Sequence, residues 1–337
     1  MIASLAIQRF KSIRSLTLAC RKINVFIGPP DTGKTNILES LFLVSCLGWH
    51  RPIGPALRLN PQIGFDPLFY RQFFDAPIEI ALALVPRTEG IGDTLTITAA
   101  ITGGGDQRRL ALSVPPLHDS AEVGFGGGVH VPLLNWVRYY LYASSDRWEY
   151  RSDLQLGDKV VTPAEGSNLL YVARHNSRVY EFLKDLVAPL NWRVRFDQGQ
   201  KTFRLSEVRA DEILDYNLDL LSDSLKRLLF YGAILLTSEN AALVLDEPDV
   251  FAFPPYPKTL GEMIAVDETN QFFLTTHNPY FLAGIVEKAP RDTLAVFVCH
   301  RDAEGATAAK LLSDEEVSRV IEQGASVFFN LDDFLPP

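Results

Sequence analysis

One uninterrupted octapeptide constrains this chain more than any other feature: Gly28-Pro29-Pro30-Asp31-Thr32-Gly33-Lys34-Thr35, which fits the pattern GxxxxGK[ST]. It follows Lys22-Ile23-Asn24-Val25-Phe26-Ile27, a short apolar run with strand character. It precedes Ile37, Leu38, Leu41, Phe42 and Cys46, which recur at helical spacing until Gly48. Strand, glycine loop and helix in that order let backbone N–H groups and a helix amino terminus curl around phosphate oxygens. Lys34 then adds a point charge at the β- and γ-phosphates, and the Thr35 hydroxyl is a ligand for Mg²⁺. Pro29 and Pro30 lack N–H groups, so the cradle falls to the amides from Asp31 through Thr32, Gly33 and Lys34 to Thr35, with Gly28 opening the turn and Asn36 following it.

The 337 residues leave room for one large domain or two intimate ones, and 47% apolar with 22% charged residues is ordinary for a folded globular chain. The apolar runs Ile37 to Leu47 and Leu228 to Leu236 are shorter than the ~20 residues a membrane helix needs. The amino terminus shows no secretory signal, so a cytoplasmic address is expected. Three scattered cysteines, Cys20, Cys46 and Cys299, argue against a disulfide framework or a zinc site. A net charge of -9 excludes a broadly basic nucleic-acid-coating protein, but residues 1–50 carry six basic side chains against two acidic ones. A strand that includes Lys11 or Arg14 either contributes a nucleic-acid patch or is simply solvated.

Further along, Ile78 to Val85, Leu95 to Ile101 and Arg109 to Val114 read as an antiparallel set, with a turn at Gly103-Gly104-Gly105. Residues 115–130 have too little apolar pattern for an element and read as a mobile loop or the tip of a hairpin. Val137 to Ala143 reads as a strand, Leu169 to Leu186 as one helix, and Arg193 to Phe196 and Thr202 to Leu205 as short strands. A helix spans about Ser224 to Leu236. The continuous apolar runs Ala242 to Asp246, Phe272 to Thr275 and Leu294 to Val298 then have the character of parallel strands covered on both faces.

Two of those runs end in chemistry. Ala242-Leu243-Val244-Leu245-Asp246-Glu247-Pro248-Asp249 has the form of a Walker B strand, in which Asp246 holds Mg²⁺ and Glu247 polarises the attacking water as general base. Because carboxyl ends of parallel strands share one crevice, Asp246 is expected beside the glycine loop. Phe272-Phe273-Leu274-Thr275-Thr276-His277 puts His277 on the same rim, where it can hydrogen-bond the γ-phosphate or the water. Ser222-Asp223-Ser224 opens the helix rich in Leu225, Leu228 and Leu229. The residues alone leave it open whether that is an ordinary capped start or an anion site.

The order of these motifs resembles the ATP-binding-cassette-type ATPases of the SMC, RecF and OLD (overcoming-lysogenization-defect) kind. The opening Leu5-Ala6-Ile7-Gln8-Arg9-Phe10-Lys11-Ser12-Ile13, Thr162-Pro163-Ala164-Glu165-Gly166-Ser167-Asn168-Leu169 in the middle, and Thr275 to Leu282 near the end are each similar to segments of that family. The resemblance implies an α/β P-loop NTPase fold, a RecA-like mostly parallel sheet with an added antiparallel sheet and a mainly helical signature lobe. Residues 1–144 and 238–337 would form the nucleotide lobe, and 145–237 the second. It further implies ATP and Mg²⁺ as ligands, an ATP-dependent homodimer in which Ser222 meets the γ-phosphate of the other copy, and a glutamine near the metal. Gln72 is the candidate for that glutamine, and Gln62 competes with it. DNA or a partner protein is the implied target, with no membrane subunit, since the transporter signature LSGGQ is absent. The pattern departs from the family at Pro30-Asp31, at Ser224, and at Phe251 and Phe253. Only 60 residues follow His277, so no nuclease domain of the TOPRIM kind is expected there, and Asp314-Glu315-Glu316 and Asp332-Asp333 read as solvated surface.

Overall fold

The computed structural model describes residues 1–60, 62–85, 95–102, 109–114, 119–124, 130–142, 148, 150, 159–209, 212–250 and 253–335. The expected turn at Gly103-Gly104-Gly105, Phe251 and the 144/145 boundary lie outside them. In chain order the first half holds β1 (Ile2–Phe10), β2 (Ile13–Ala19), β3 (Ile23–Ile27), α1 (Lys34–Gly48), α2 (Ile53–Ala56), β4 (Ile78–Leu84), β5 (Leu95–Thr102), β6 (Arg109–Val114), β7 (Asp119–Gly124) and β8 (Val137–Tyr140). The second holds α3 (Leu169–His175), α4 (Ser177–Val187), β9 (Trp192–Asp197), β10 (Thr202–Arg209), β11 (Glu212–Asn217), α5 (Asp223–Thr237) and β12 (Ala242–Leu245). It closes with α6 (Pro255–Val266), β13 (Gln271–Thr275), α7 (Pro279–Val286), β14 (Leu294–Arg301), β15 (Thr307–Leu311) and α8 (Asp314–Gln323).

The central sheet runs β15-β14-β3-β13-β12-β8, parallel except for β15. Its inner strands β3, β13 and β12 are buried on both faces. Ile23, Val25 and Ile27 enter a core shared with the second-half helices, while Phe26 enters a core with α1 and the antiparallel sheet β2-β1-β4-β5-β6-β7. α1 is apolar all round because it lies between the two sheets, with Ile37, Leu38, Leu41, Leu43 and Cys46 all buried. The side chain of Gln271 on β13 joins the sheets at one end: its Oε1 accepts from Ile2 N at 2.8 Å and its Nε2 donates to Ile2 O at 2.7 Å. A third sheet, β11-β10-β9, accompanies α3, α4 and α5.

Two expectations are corrected. Residues 119–124, read as loop, form β7, paired along its length with β6. Their sequence Asp-Ser-Ala-Glu-Val-Gly is polar because the strand is a sheet edge with a single neighbour. The single helix read over 169–186 is two helices, broken where the Asn176 side chain accepts from Arg178 N at 3.0 Å and Val179 N at 3.3 Å to cap α4.

Candidate nucleotide-binding and hydrolysis site

At the carboxyl end of β3 the chain turns through Gly28 (φ 151°), Asp31 (φ 59°) and Gly33 (φ 93°) before entering α1. A Cβ at Gly28 would run into Cys299 O, and one at Gly33 into the hydroxyls of Thr307 and Ser12, so both positions require glycine for space as well as for conformation. The loop is seated on residues that no local pattern announces. Ser12 Oγ and Thr307 Oγ1 lie 2.7 Å apart, Asn36 Nδ2 donates to Ser12 Oγ at 2.6 Å, and the Arg301 guanidinium donates to Asp31 O. Asn36 is thus held at the floor of the loop by Ser12, which lies between β1 and β2. α1 starts without a side-chain cap, leaving its first N–H groups open.

The cleft over this loop, about 340 Å³, is lined by Pro30, Asp31, Gly33, Lys34, Thr35, Asn36, Glu247, His277 and Arg301. Lys34 is 5% exposed and its Nζ donates to Gly28 O at 2.9 Å and Pro29 O at 2.7 Å, so its charge is tucked into the loop itself. Burial pushes this ammonium below its ordinary range, while Glu247 and Asp246 oppose the shift. Thr32, also buried, donates its hydroxyl to Pro29 O at 2.9 Å.

The acidic end of β12 arrives from across an intervening strand. β13 is inserted between β3 and β12, so Asp246 is not on a strand adjacent to the loop, yet Thr35 Oγ1 donates to Asp246 Oδ1 at 3.4 Å. Burial raises the Asp246 carboxyl, an effect opposed by the hydroxyl of Thr275, which donates to the same oxygen. Thr275 Oγ1 in turn accepts from Glu247 N at 2.9 Å, and Glu247 is held at φ 44°, a left-handed conformation that costs a non-glycine residue energy. Glu247 and His277 face each other, Glu247 Oε1 and His277 Nε2 being 3.5 Å apart and both side chains partly open to solvent. Burial, and then the charge of Lys34, lower the imidazole's proton affinity and so favour its neutral form.

The inserted strand thus explains why two motifs from distant stretches of chain meet: it carries Thr275, which fixes both carboxylate-bearing residues, and it delivers His277 to the same rim. Ser222 stands outside this cleft. It is exposed at the start of α5, and its hydroxyl accepts from Leu225 N at 3.3 Å. Ser224 Oγ accepts from Phe253 N at 3.3 Å. Gln72 ends the exposed 3₁₀ turn Tyr70–Gln72 and is not among the lining residues, and Gln62 is likewise exposed. Asn168, read only as part of a family-like turn, is fully buried: its Oδ1 accepts from Thr162 N at 2.8 Å and its Nδ2 donates to Val160 O at 2.9 Å, clasping the entry to α3. Arg301 and Thr307 have no mark in the sequence beyond their positions near strand ends, and Ser12 is marked there only as part of the family-like opening segment.

Comparison with known proteins agrees with this architecture. Residues 149–283 match the family described as "AAA domain, putative AbiEii toxin, Type IV TA system". The fold is similar to an SMC head bound to the C-winged helix domain of ScpA, at 14% identity over 94% of this chain and 99% of that one, with a TM-score of 0.60. It is also similar to an SMC head domain with an extended coiled coil bound to the C-terminal domain of ScpA derived from Pyrococcus furiosus, at 12% identity over 96% of this chain and 98% of that one, with a TM-score of 0.55. No curated protein sequence matches. The fold is therefore the P-loop NTPase fold that the SMC heads share, and the family match covers the stretch that carries the signature helix and the acidic end of β12. Among the described residues no helix is long and apolar enough to cross a membrane.

Proposed function

We propose that the chain is a Mg²⁺-dependent ATP hydrolase whose ATP-bound copies pair head to tail, each cleft closed by Ser222 of the other copy, so that binding and hydrolysis drive a conformational switch. One observation carries the reading: Thr35, which lines the cleft with Lys34, Glu247 and His277, reaches Asp246, 211 positions away, at 3.4 Å. The hydroxyl and the half-buried carboxylate fit Mg²⁺, which takes oxygen ligands, keeps several waters and shares the phosphates instead of requiring an all-protein cage. When bound, the ion neutralises charge developing on the phosphate oxygens. Lys34 exchanges the Gly28 and Pro29 carbonyls for the β- and γ-phosphates. The free amides of Asp31, Thr32, Gly33, Lys34 and Thr35 bind the same anion. Glu247 accepts the proton of the attacking water, and neutral His277 orients that water or the γ-phosphate. Gln72 has no part in this reading, because it does not line the cleft. Movement of the 145–237 lobe against the remainder is the output.

Gel filtration of Glu247→Gln with and without Mg-ATP tests the dimer. The expected result is an ATP-induced doubling of mass, whereas an unchanged monomer that still binds ATP removes the role of Ser222.

The family resemblance favours action on DNA, in repair or in defence against mobile elements. A second target, a protein partner such as a toxin or a separately encoded nuclease, is favoured by the ion pairing. All six basic side chains of residues 1–50 are engaged internally: Arg9 with Pro77 O and Glu79, Lys11 with Glu39, Arg14 with Glu304, Arg21 with Arg291 O and Leu294 O, Lys22 with Asp267 O, and Lys34 with its own loop. The SMC heads similar in fold were solved with a ScpA domain bound, which supports the same reading. ATP-strengthened, salt-sensitive binding of duplex DNA is the outcome that decides for the first target over the second.

A further inference from the structure

The turn after β12 contains a carboxylate that the proposed hydrolysis machinery does not use. Asp249 is 3% exposed, its Oδ2 accepts from Thr276 Oγ1 at 2.9 Å, and its Oδ1 has no hydrogen-bond partner. A carboxylate buried with half of its acceptor capacity unmet is costly, and such a group persists where it holds something in place. What it holds is a single hydroxyl. Thr276 Oγ1 donates its one proton to Asp249 and accepts from Asn278 N at 2.9 Å, so the residues on both sides of His277 are fixed through it. Asn278 continues the anchorage, since its side chain accepts from Tyr280 N at 2.9 Å to cap α7. The competing acceptor for the Thr276 proton is Asn278 O, at 3.5 Å. Asp249 decides that competition, because without it the hydroxyl is free to rotate toward that carbonyl. At its other end, Asp249 lies two residues beyond Glu247, in the turn closed by the bond from Val250 N to Glu247 O at 3.3 Å. Asp249 also borders a small cavity shared with Ser224 and Arg227 of α5, the helix that Ser222 opens.

We propose that Asp249 is a positioning residue for hydrolysis. Acting through Thr276, it ties the loop that bears Glu247 to the loop that bears His277 and keeps the two in register across the cleft. This rests on the hydrolase reading above. Steady-state turnover of Mg-ATP by Asp249→Ala, Thr276→Val, the double variant and Thr276→Ser tests it, with affinity read from a fluorescent ATP analogue and folding from thermal melting. The expected result is that Asp249→Ala and Thr276→Val each lower kcat about tenfold or more while KM and analogue affinity stay within about twofold. The double variant should be no worse than the poorer single one, because the pair acts as a unit, and Thr276→Ser should stay within about threefold of wild type. A folded Asp249→Ala with unchanged kcat overturns the proposal, as do losses that multiply in the double variant. If Asp249→Ala does not fold, the Thr276 variants decide: a serine as poor as valine refutes the role. A wild-type chain that turns over no ATP overturns the hydrolase reading and this role with it, whereas an active wild type with an unaffected Asp249→Ala overturns this role alone.

Discussion

α1 begins behind Gly33, which offers no side chain to its first N–H groups, whereas α5 begins behind Ser222, whose hydroxyl already accepts from Leu225 N. An uncapped start in a glycine turn is an anion site standing ready, its open donors and positive dipole end facing a cleft. A self-capped start is complete without a ligand and engages a phosphate only by rearranging. The difference orders the events in the proposed cycle: a single chain takes up nucleotide at α1, and α5 of a second copy joins afterwards.

The sharpest way to separate the two ends is Glu247→Gln. It leaves the α1 cradle intact, so phosphate release should fall by about 10²- to 10⁴-fold while ATP-analogue binding is kept. A matching loss of binding would show that the β12 rim is part of the cradle. Ser222→Ala acts on the other helix start. Turnover should drop about tenfold with single-chain nucleotide affinity unchanged, and urea unfolding should show a loss of about 0.5–2 kcal/mol from the missing cap. Reduced single-chain affinity would break the distinction between the two starts.

A subtler effect concerns Asp249, which lies between the two regions. Burial pushes its carboxyl from the ordinary 3.8 up to about 7. Over that window the folded chain holds a proton that the unfolded chain has released, so this group's contribution to stability is largest at the acid end. It falls as pH rises toward about 7 and is constant above it. Asp249→Asn removes the dependence, and its urea midpoint should gain on wild type between pH 5 and pH 8. The smallest effect expected is a control. Ser313 caps α8 in a capping box with Glu316, neither of which lines the cleft, and Ser313→Ala should cost about 1 kcal/mol in melting experiments with turnover unchanged.

Much of the cleft was legible because its parts are contiguous in the chain. The glycine loop lies between its strand and helix, and Asp246 and His277 each stand just past an apolar run. The strand order was not legible, because the insertion of β13 between β3 and β12 is set by how helices cross over a sheet, and no local pattern encodes it. The strands that pattern reading left unassigned, β2, β7, β11 and β15, are all sheet edges, where a single neighbour weakens the apolar signal. One of them, β15, supplies Thr307, which with Ser12 forms the seat under Gly33. Sequence reasoning therefore found the residues that face the ligand more readily than those that hold them.

The central claim is that the turn between β3 and α1 grips a triphosphate through Lys34. Calorimetric titration of Mg-ATP into the wild-type chain and into Lys34→Ala measures this directly. Saturable binding at one site per chain in the wild type, lost or greatly weakened in the variant with its melting temperature retained, is the predicted result. Equal binding by the two proteins, or none by the wild type, would contradict it.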